Sequence, residues 1–143
     1  MRSVIRFMLS IYNFLYRLTG GAIGGRMAGL PVLLLTTTGR KTGKQRSTPL
    51  GYFEQDGAFV IIASNGGAER NPAWFYNLTS NPQVTIQIRN RQMAAHAEQA
   101  GPEQRKQLWA DLVKIAPAYE PYAQRTQREI PMIILRPAEK PAP

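Results

Sequence analysis

The chain has no cysteine and a single histidine, His96. The first absence removes disulfides, thiolate zinc sites and cysteine nucleophiles. The second argues against imidazole-rich metal centres and most Ser-His-Asp arrangements, so no metal site is expected. Acid is scarce too, and its scarcity is local. Residues 1–53 carry eight basic side chains and no acidic one, whereas residues 54–143 carry ten basic and nine acidic. Nearly all of the +9 net charge therefore sits ahead of Glu54. An enzyme so poor in catalytic groups draws its chemistry from a cofactor and supplies position and electrostatics. Such a charge asks for an anionic partner: nucleic acid, a membrane surface or a phosphorylated ligand.

Long apolar runs are missing as well. The N-terminal segment resembles a secretory leader at first sight, with Arg2 and Arg6 ahead of apolar residues. However, Ser3, Arg6, Ser10, Asn13 and Arg17 form one polar stripe at helical spacing. A leader has no such stripe, and Asn13 and Arg17 interrupt any spanning helix. The segment reads as an amphipathic helix that either packs on the domain or lies in a membrane interface; its wide apolar face and lack of acid favour the membrane. The rest fits one domain: 143 residues with 43% apolar content are enough for a core.

Residues 1–29 read as this helix and a Gly-rich connector, 30–137 as the folded domain, and 138–143 as a loose tail. Strands are expected at 31–38, 46–54 and 58–63, with Asp56-Gly57 as a turn, then at 84–89, 92–99 and 130–135. Asn71-Pro72 reads as a helix start, with Asn71 capping and Pro72 at the first position. A second helix is expected over 102–115, with Leu108, Trp109, Leu112 and Val113 on one side. Residues 117–128 read as a connection, helical in part. Six strands and two helices without regular alternation argue against a doubly wound parallel sheet. They fit a mainly β fold, a small six-stranded antiparallel barrel with covering helices.

Four clusters stand out. The densest is Thr36 to Tyr52, TTTGRKTGKQRSTPLGY, which sets Arg40, Lys41, Lys44 and Arg46 around Gly39 and Gly43 directly after an apolar strand. Basic turns are ordinarily solvated surface. Here the glycines would turn backbone N–H groups toward an anion, and the cations would supply countercharge. It is not a P-loop: three residues, not four, separate the glycines, and Gln45 follows Lys44. No aromatic residue interleaves with the cations over 36–51, which argues against a nucleic-acid surface. The second cluster, Ala63-Ser64-Asn65-Gly66-Gly67, follows another apolar strand and reads as an ordinary loop or as a close approach to a ligand. In the third, Trp74 and Leu78 share a helical face, the usual sign of core. In the fourth, Tyr119 and Tyr122 either line a pocket or cap the barrel. His96 reads as a strand side chain facing solvent or a local partner.

In order, TTxGRKTGxxRxTPLxY, SxGG, NPxWxxNLxxNP, YxPY and IPxxxLxP resemble the deazaflavin-dependent nitroreductase family over residues 30–137. These are flavin/deazaflavin oxidoreductases with an FMN-binding-like split β-barrel. The resemblance implies coenzyme F420, a 5-deazaflavin with a phospholactyl-oligoglutamate tail. By position it implies that Arg40, Lys41, Thr42 and Arg46 hold the phosphate and tail. Pro49, Ala63, Ser64, Asn65, Gly66, Gly67, Trp74 and Asn77 would frame the deazaflavin. Tyr52, Ser64, Trp74, Tyr119 and Tyr122 would face the substrate as catalytic residues. Asn65 replaces a residue that is often basic in the family, Arg125 stands where some nitroimidazole-activating members place a further tyrosine, and Ala73 leaves a roomier pocket. The implied activity is hydride transfer from reduced F420 to an electron-poor acceptor: a quinone, an activated enone or a nitroaromatic. Alternatives are an FMN-binding or non-catalytic barrel and, from other classes, a basic nucleic-acid module or a membrane-surface structural protein. The implied setting is cytoplasmic, as monomer or homodimer, with peripheral contact to the inner face of the membrane through residues 1–20.

Overall fold

In the computed structural model the described residues are 26, 27 and 29–138, with Met8, Ile11 and Asn13 ahead of them. Met8, Ile11 and Asn13 are helical; the rest of the expected N-terminal helix, most of the Gly-rich connector and the last five residues of the tail lie outside the described residues.

The strands are β1 (Arg26–Met27), β2 (Leu30–Thr38), β3 (Gln45–Gln55), β4 (Ala58–Ile62), β5 (Gln83–Ile88), β6 (Arg91–Gln99) and β7 (Met132–Pro137). The helices are α1 (Ala73–Ser80), α2 (Pro102–Ile115) and α3 (Glu120–Arg125), with 3-10 turns at Asn65–Gly67 and Pro117–Tyr119. All strand pairs are antiparallel. The order β2-β3-β4-β7-β6-β5 closes on itself because β5 also pairs with β2, giving the expected six-stranded barrel. Closure leaves no free edge among these six strands.

One core fills the barrel. Leu33, Leu35, Tyr52, Ile61, Ala63, Val84, Ile86, Ala95, Ala97, Ile133 and Leu135 come from or adjoin all six barrel strands, and Trp74 and Leu78 of α1 join them. A second core lies outside the wall. Phe53, Val60, Ile62, Met132 and Ile134 point the other way and meet Leu108 and Leu112 of α2, with Tyr119. Strands buried on both faces read as continuous apolar runs, which is why Val32–Leu35 and Phe59–Ile62 show no alternation. Burying one such leucine or isoleucine contributes about 1.5–3 kcal/mol.

Local chemistry sets the boundaries. Asp56 and Gly57 both have positive φ (52° and 79°), as the primed hairpin turn requires. The next hairpin turns at Arg89-Asn90, one residue earlier than expected, with Arg89 at φ 54°. That register places His96 opposite Gln83, whose amide lies 3.1 Å from His96 Nδ1. β7 begins at Met132 rather than residue 130. Pro131 has no N–H for a ladder, its carbonyl accepts from Ala63 N–H (3.0 Å), and the Ile130 carbonyl accepts from Arg105 Nε (2.7 Å). Helix α1 starts at Ala73 with Pro72 in the capping place and no side-chain cap. The expected Asn71 cap is absent because its carboxamide oxygen accepts from Arg128 Nη1 at 2.7 Å. Within the expected connector, Arg26–Met27 pair with Leu30–Pro31 around Gly29.

Candidate active site

The β2–β3 connection lies against α1, where Arg40 N–H donates to Asn77 Oδ1. Between them lies a cavity of about 890 Å3. Gly39, Arg40, Lys41, Thr42, Gln45, Arg46, Ser47 and Thr48 form one side; Arg70, Asn71, Ala73, Trp74, Tyr76 and Asn77 form the other, with Thr37 and Asn13. Four of the lining residues are cations, Arg40, Lys41, Arg46 and Arg70, and none is acidic. No group of three His, Cys, Asp or Glu suited to a metal occurs among the described residues.

The basic loop is closed by its own backbone. Gly39 N–H donates to the Lys44 carbonyl (2.7 Å) and Gly43 N–H to the Gly39 carbonyl (2.8 Å). The glycines therefore shape the turn and do not offer these N–H groups to an anion, contrary to the expectation. Gly43 sits at φ 71°, and a Cβ on Gly39 would lie 2.8 Å from Thr42 Oγ1. What the loop presents to the cavity is the cationic side chains of Arg40, Lys41 and Arg46. Asn77 ties the loop to α1: its Oδ1 accepts from Arg40 N–H (3.2 Å), and its Nδ2 donates to Thr37 Oγ1 (3.3 Å). The Arg40 guanidinium lies over the Tyr76 ring, 5.4 Å from its centre, a cation–π contact worth roughly 0.5–1 kcal/mol at an exposed site. Asn13 reaches in from the N-terminal segment, its Nδ2 donating to the Ser47 carbonyl (3.1 Å).

The cavity thus unites Arg40, Lys41, Thr42, Arg46, Trp74 and Asn77 of the expected residues. The others lie outside its lining. Pro49 is buried in β3 opposite Leu34. Tyr52 is buried in the barrel, edge-on to Phe59 at 5.6 Å. Tyr119 is buried in the outer core, edge-on to Tyr122 at 5.5 Å, beside Gly51. Burial, and secondarily the nearby Tyr122, pushes the Tyr119 phenol above the usual tyrosine range, so it stays protonated at neutral pH. Tyr122 is half-buried with Arg125 over its ring. The 63–67 turn lies behind Arg70 and Asn71. Ala63 is fully buried, Ser64 is half-buried, and Asn65, at φ 48°, donates from Nδ2 to the Arg70 carbonyl (2.9 Å). Gly67, at φ 83°, faces α3: a Cβ there would lie 3.0 Å from Arg125 Cβ. Gly67 therefore lets the turn pack closely on α3.

Sequence reasoning missed Arg70, Asn71, Tyr76 and Thr37 in the lining, and Arg128 behind it. A basic residue directly ahead of the Asn71-Pro72 helix start was the available signal for Arg70. Arg128 carries no sequence signal.

The F420H(2)-dependent quinone reductase family matches residues 9–137. A relative named F420H(2)-dependent quinone reductase, from Mycobacterium tuberculosis (strain ATCC 25618 / H37Rv), is 38% identical over 132 residues, covering 90% of this chain and 89% of its own. Among solved structures, an F420-H2 dependent reductase (FDR-A) has a TM-score of 0.68 and 36% identity, covering 74% of this chain and 94% of its own. A structure titled as a domain-swapped dimer has a TM-score of 0.70 and 30% identity, covering 92% and 98%. With the barrel, the cationic cavity and a match that spans nearly all of its length, the chain belongs to the F420H2-dependent quinone reductase family.

Proposed function

We propose that this protein binds coenzyme F420 with its phosphate and acidic tail in the cationic cavity, and reduces a quinone. The observation that carries the reading is the lining itself: Arg40, Lys41, Arg46 and Arg70 with no carboxylate among them. That donor set suits a ligand bearing several negative charges and exceeds the need of a single phosphate. When bound, reduced F420 supplies a hydride to the acceptor. The chain's own residues bind and orient. Arg40, Lys41 and Arg46 hold the anionic tail from the loop side, and Arg70 holds it from the α1 side. Asn77 keeps the loop against α1. Trp74, buried in the barrel core yet bordering the cavity, offers a flat apolar wall and excludes water. Ser64 and the half-buried phenol of Tyr122 are the remaining candidate donors for charge developing on the acceptor. Tyr52 is buried in the barrel core and Tyr119 in the outer core. No protein general base is needed for this step, which fits the scarcity of titratable groups. Titration with F420 and, separately, FMN under anaerobic conditions tests the reading. Micromolar F420 binding with weaker FMN binding is expected; preference for FMN would refute it.

The quinone is lipid-soluble in this reading, and the protein is cytoplasmic and peripheral on the inner face of the membrane. Met8 and Ile11, one helical turn apart, are 64% and 44% exposed, whereas Asn13 faces the cavity. Exposed apolar side chains on one helical face suit a membrane interface. No helix among the described residues is long and apolar enough to cross a membrane. Deleting residues 1–20 should abolish binding to phosphatidylglycerol liposomes; unchanged binding would end this part of the account. A homodimer is the assembly suggested by the domain-swapped relative, and light scattering at the mass of one chain would exclude it.

A further inference from the structure

The turn behind the cavity is held by a residue far from it in sequence. Arg128 Nη2 donates to the carbonyls of Ala63 (3.1 Å) and Ser64 (3.0 Å). Its Nε donates to the Ala68 carbonyl (2.9 Å), and its Nη1 donates to Asn71 Oδ1 (2.7 Å). One guanidinium therefore joins the end of β4, both ends of the 3-10 turn and the residue that leads into α1. Asn71 itself borders the cavity, as do Arg70 before it and Ala73 and Trp74 beyond Pro72. The opposite side of the turn rests on α3, where Gly67 lies against Arg125 and the Tyr122 carbonyl. Residues 122–128 thus grip the turn from two sides.

All four acceptors are neutral, and no carboxylate among the described residues pairs with Arg128. Burial pulls its pKa down from the usual arginine value, with Tyr76 opposing that fall. A half-buried cation with no counter-ion relies on its hydrogen bonds to offset the cost of its burial. The planar fork is what the site uses. It reaches four acceptors in three directions at once, which an ammonium on a flexible stem cannot do.

We propose that Arg128 is a positioning residue for F420-dependent hydride transfer: its guanidinium latches the 63–68 turn to the start of α1 and so sets the wall that carries Arg70, Asn71 and Trp74. This rests on the function proposed above. Arg128 acts through these groups and is not itself a catalytic residue.

The test compares the parent with R128K, which keeps the charge and loses the fork, and R128A. Three quantities are read: F420 affinity, kcat and KM with menadione at saturating reduced F420, and hydrogen exchange of the ligand-free proteins. R128K is expected to unfold cooperatively and to raise the F420 Kd about tenfold; at saturating cofactor it lowers kcat by a similar factor with KM for menadione little changed, as a misplaced site wall would. Exchange should quicken over residues 63–72, including the Gly67 and Ala68 amides that close the turn, and not in the barrel strands. Parent-like affinity and kcat in R128K would overturn the proposal. Exchange quickened throughout the barrel would also overturn it, because the role would then be general stability. If R128A does not fold, R128K decides alone. A parent that fails to bind F420 overturns the role in hydride transfer together with the proposed function; local quickening in R128K would still support the latch, and its absence would remove the latch too.

Discussion

Gly43, Gly57 and Gly67 each have a left-handed backbone, yet only Gly67 is crowded, and this makes a sharp test of how the 63–68 turn is packed. Gly43, Gly57 and Gly67 have φ of 71°, 79° and 83°. A Cβ on Gly43 or Gly57 would meet nothing within 4 Å. On Gly67 it would lie 3.0 Å from Arg125 Cβ and 3.2 Å from both Arg125 Cδ and the Tyr122 carbonyl. The Arg125 Cδ can swing away, but its Cβ and the Tyr122 carbonyl belong to α3 and move only with the helix. Alanine at Gly43 or Gly57 therefore costs the left-handed conformation alone, about 1 kcal/mol. At Gly67 the same strain combines with an overpacking cost of about 1–3 kcal/mol, for roughly 2–4 kcal/mol together. For a domain of this size 1 kcal/mol corresponds to about 3–4 °C in Tm. G43A and G57A should each melt about 3–4 °C below the parent, and G67A about 6–16 °C below. Thermal unfolding followed by circular dichroism, with the three variants side by side, cancels the common strain. A G67A melting point within a degree or two of the other variants would refute the packing of this turn against α3.

Replacing Arg40 and Lys41 together by alanine should weaken F420 binding about tenfold at low salt, with a shallower salt dependence and an unchanged melting point; an unaltered Kd would remove the loop from the site. Asn77→Asp keeps the acceptor for the Arg40 N–H and puts a negative charge among the cations, so F420 affinity should fall about tenfold and recover in part at high salt. Equal affinity of N77D and parent at every ionic strength would contradict that. Tyr119 provides a pH test. Its phenol titrates higher in the folded than in the unfolded chain, so the stability it lends is intact below a pH of about 10 and is lost as pH rises through the folded value. Urea unfolding of Y119F should decline less steeply than the parent across that alkaline range, and identical slopes would show that the phenol is not desolvated.

The parts of this fold that were legible in the sequence are those set by local rules. Asp56-Gly57 announced its turn because both positions need positive φ. Leu108 and Leu112 announced α2 because they repeat at helical spacing, and the doubly buried strands announced themselves as apolar runs. The rest depends on partners distant along the chain. Asn71 was a sound capping candidate, but a guanidinium 57 residues away takes its oxygen. Gly39 and Gly43 were read as turning backbone N–H groups toward an anion, and their own N–H groups close the loop on itself. Tyr119 and Tyr122 read alike in sequence; what separates them is the approach of the Tyr119 hydroxyl to Gly51 across β3. The cationic half of the site was visible as charge density. Arg70 joins it only because α1 folds back over the β2–β3 connection, a relation that no spacing along the chain encodes.

On the proposed function, this cationic barrel transfers a hydride from reduced F420 to a quinone. The most direct measurement is anaerobic stopped-flow oxidation of reduced F420 by menadione, with and without the protein, following both F420 and the hydroquinone. Hydride transfer on this barrel should give a protein-dependent rate that saturates in menadione, one hydroquinone formed for each F420 oxidised, and slowing when the transferred hydride is replaced by deuteride. Tight F420 binding with no acceleration over the protein-free reaction would contradict it.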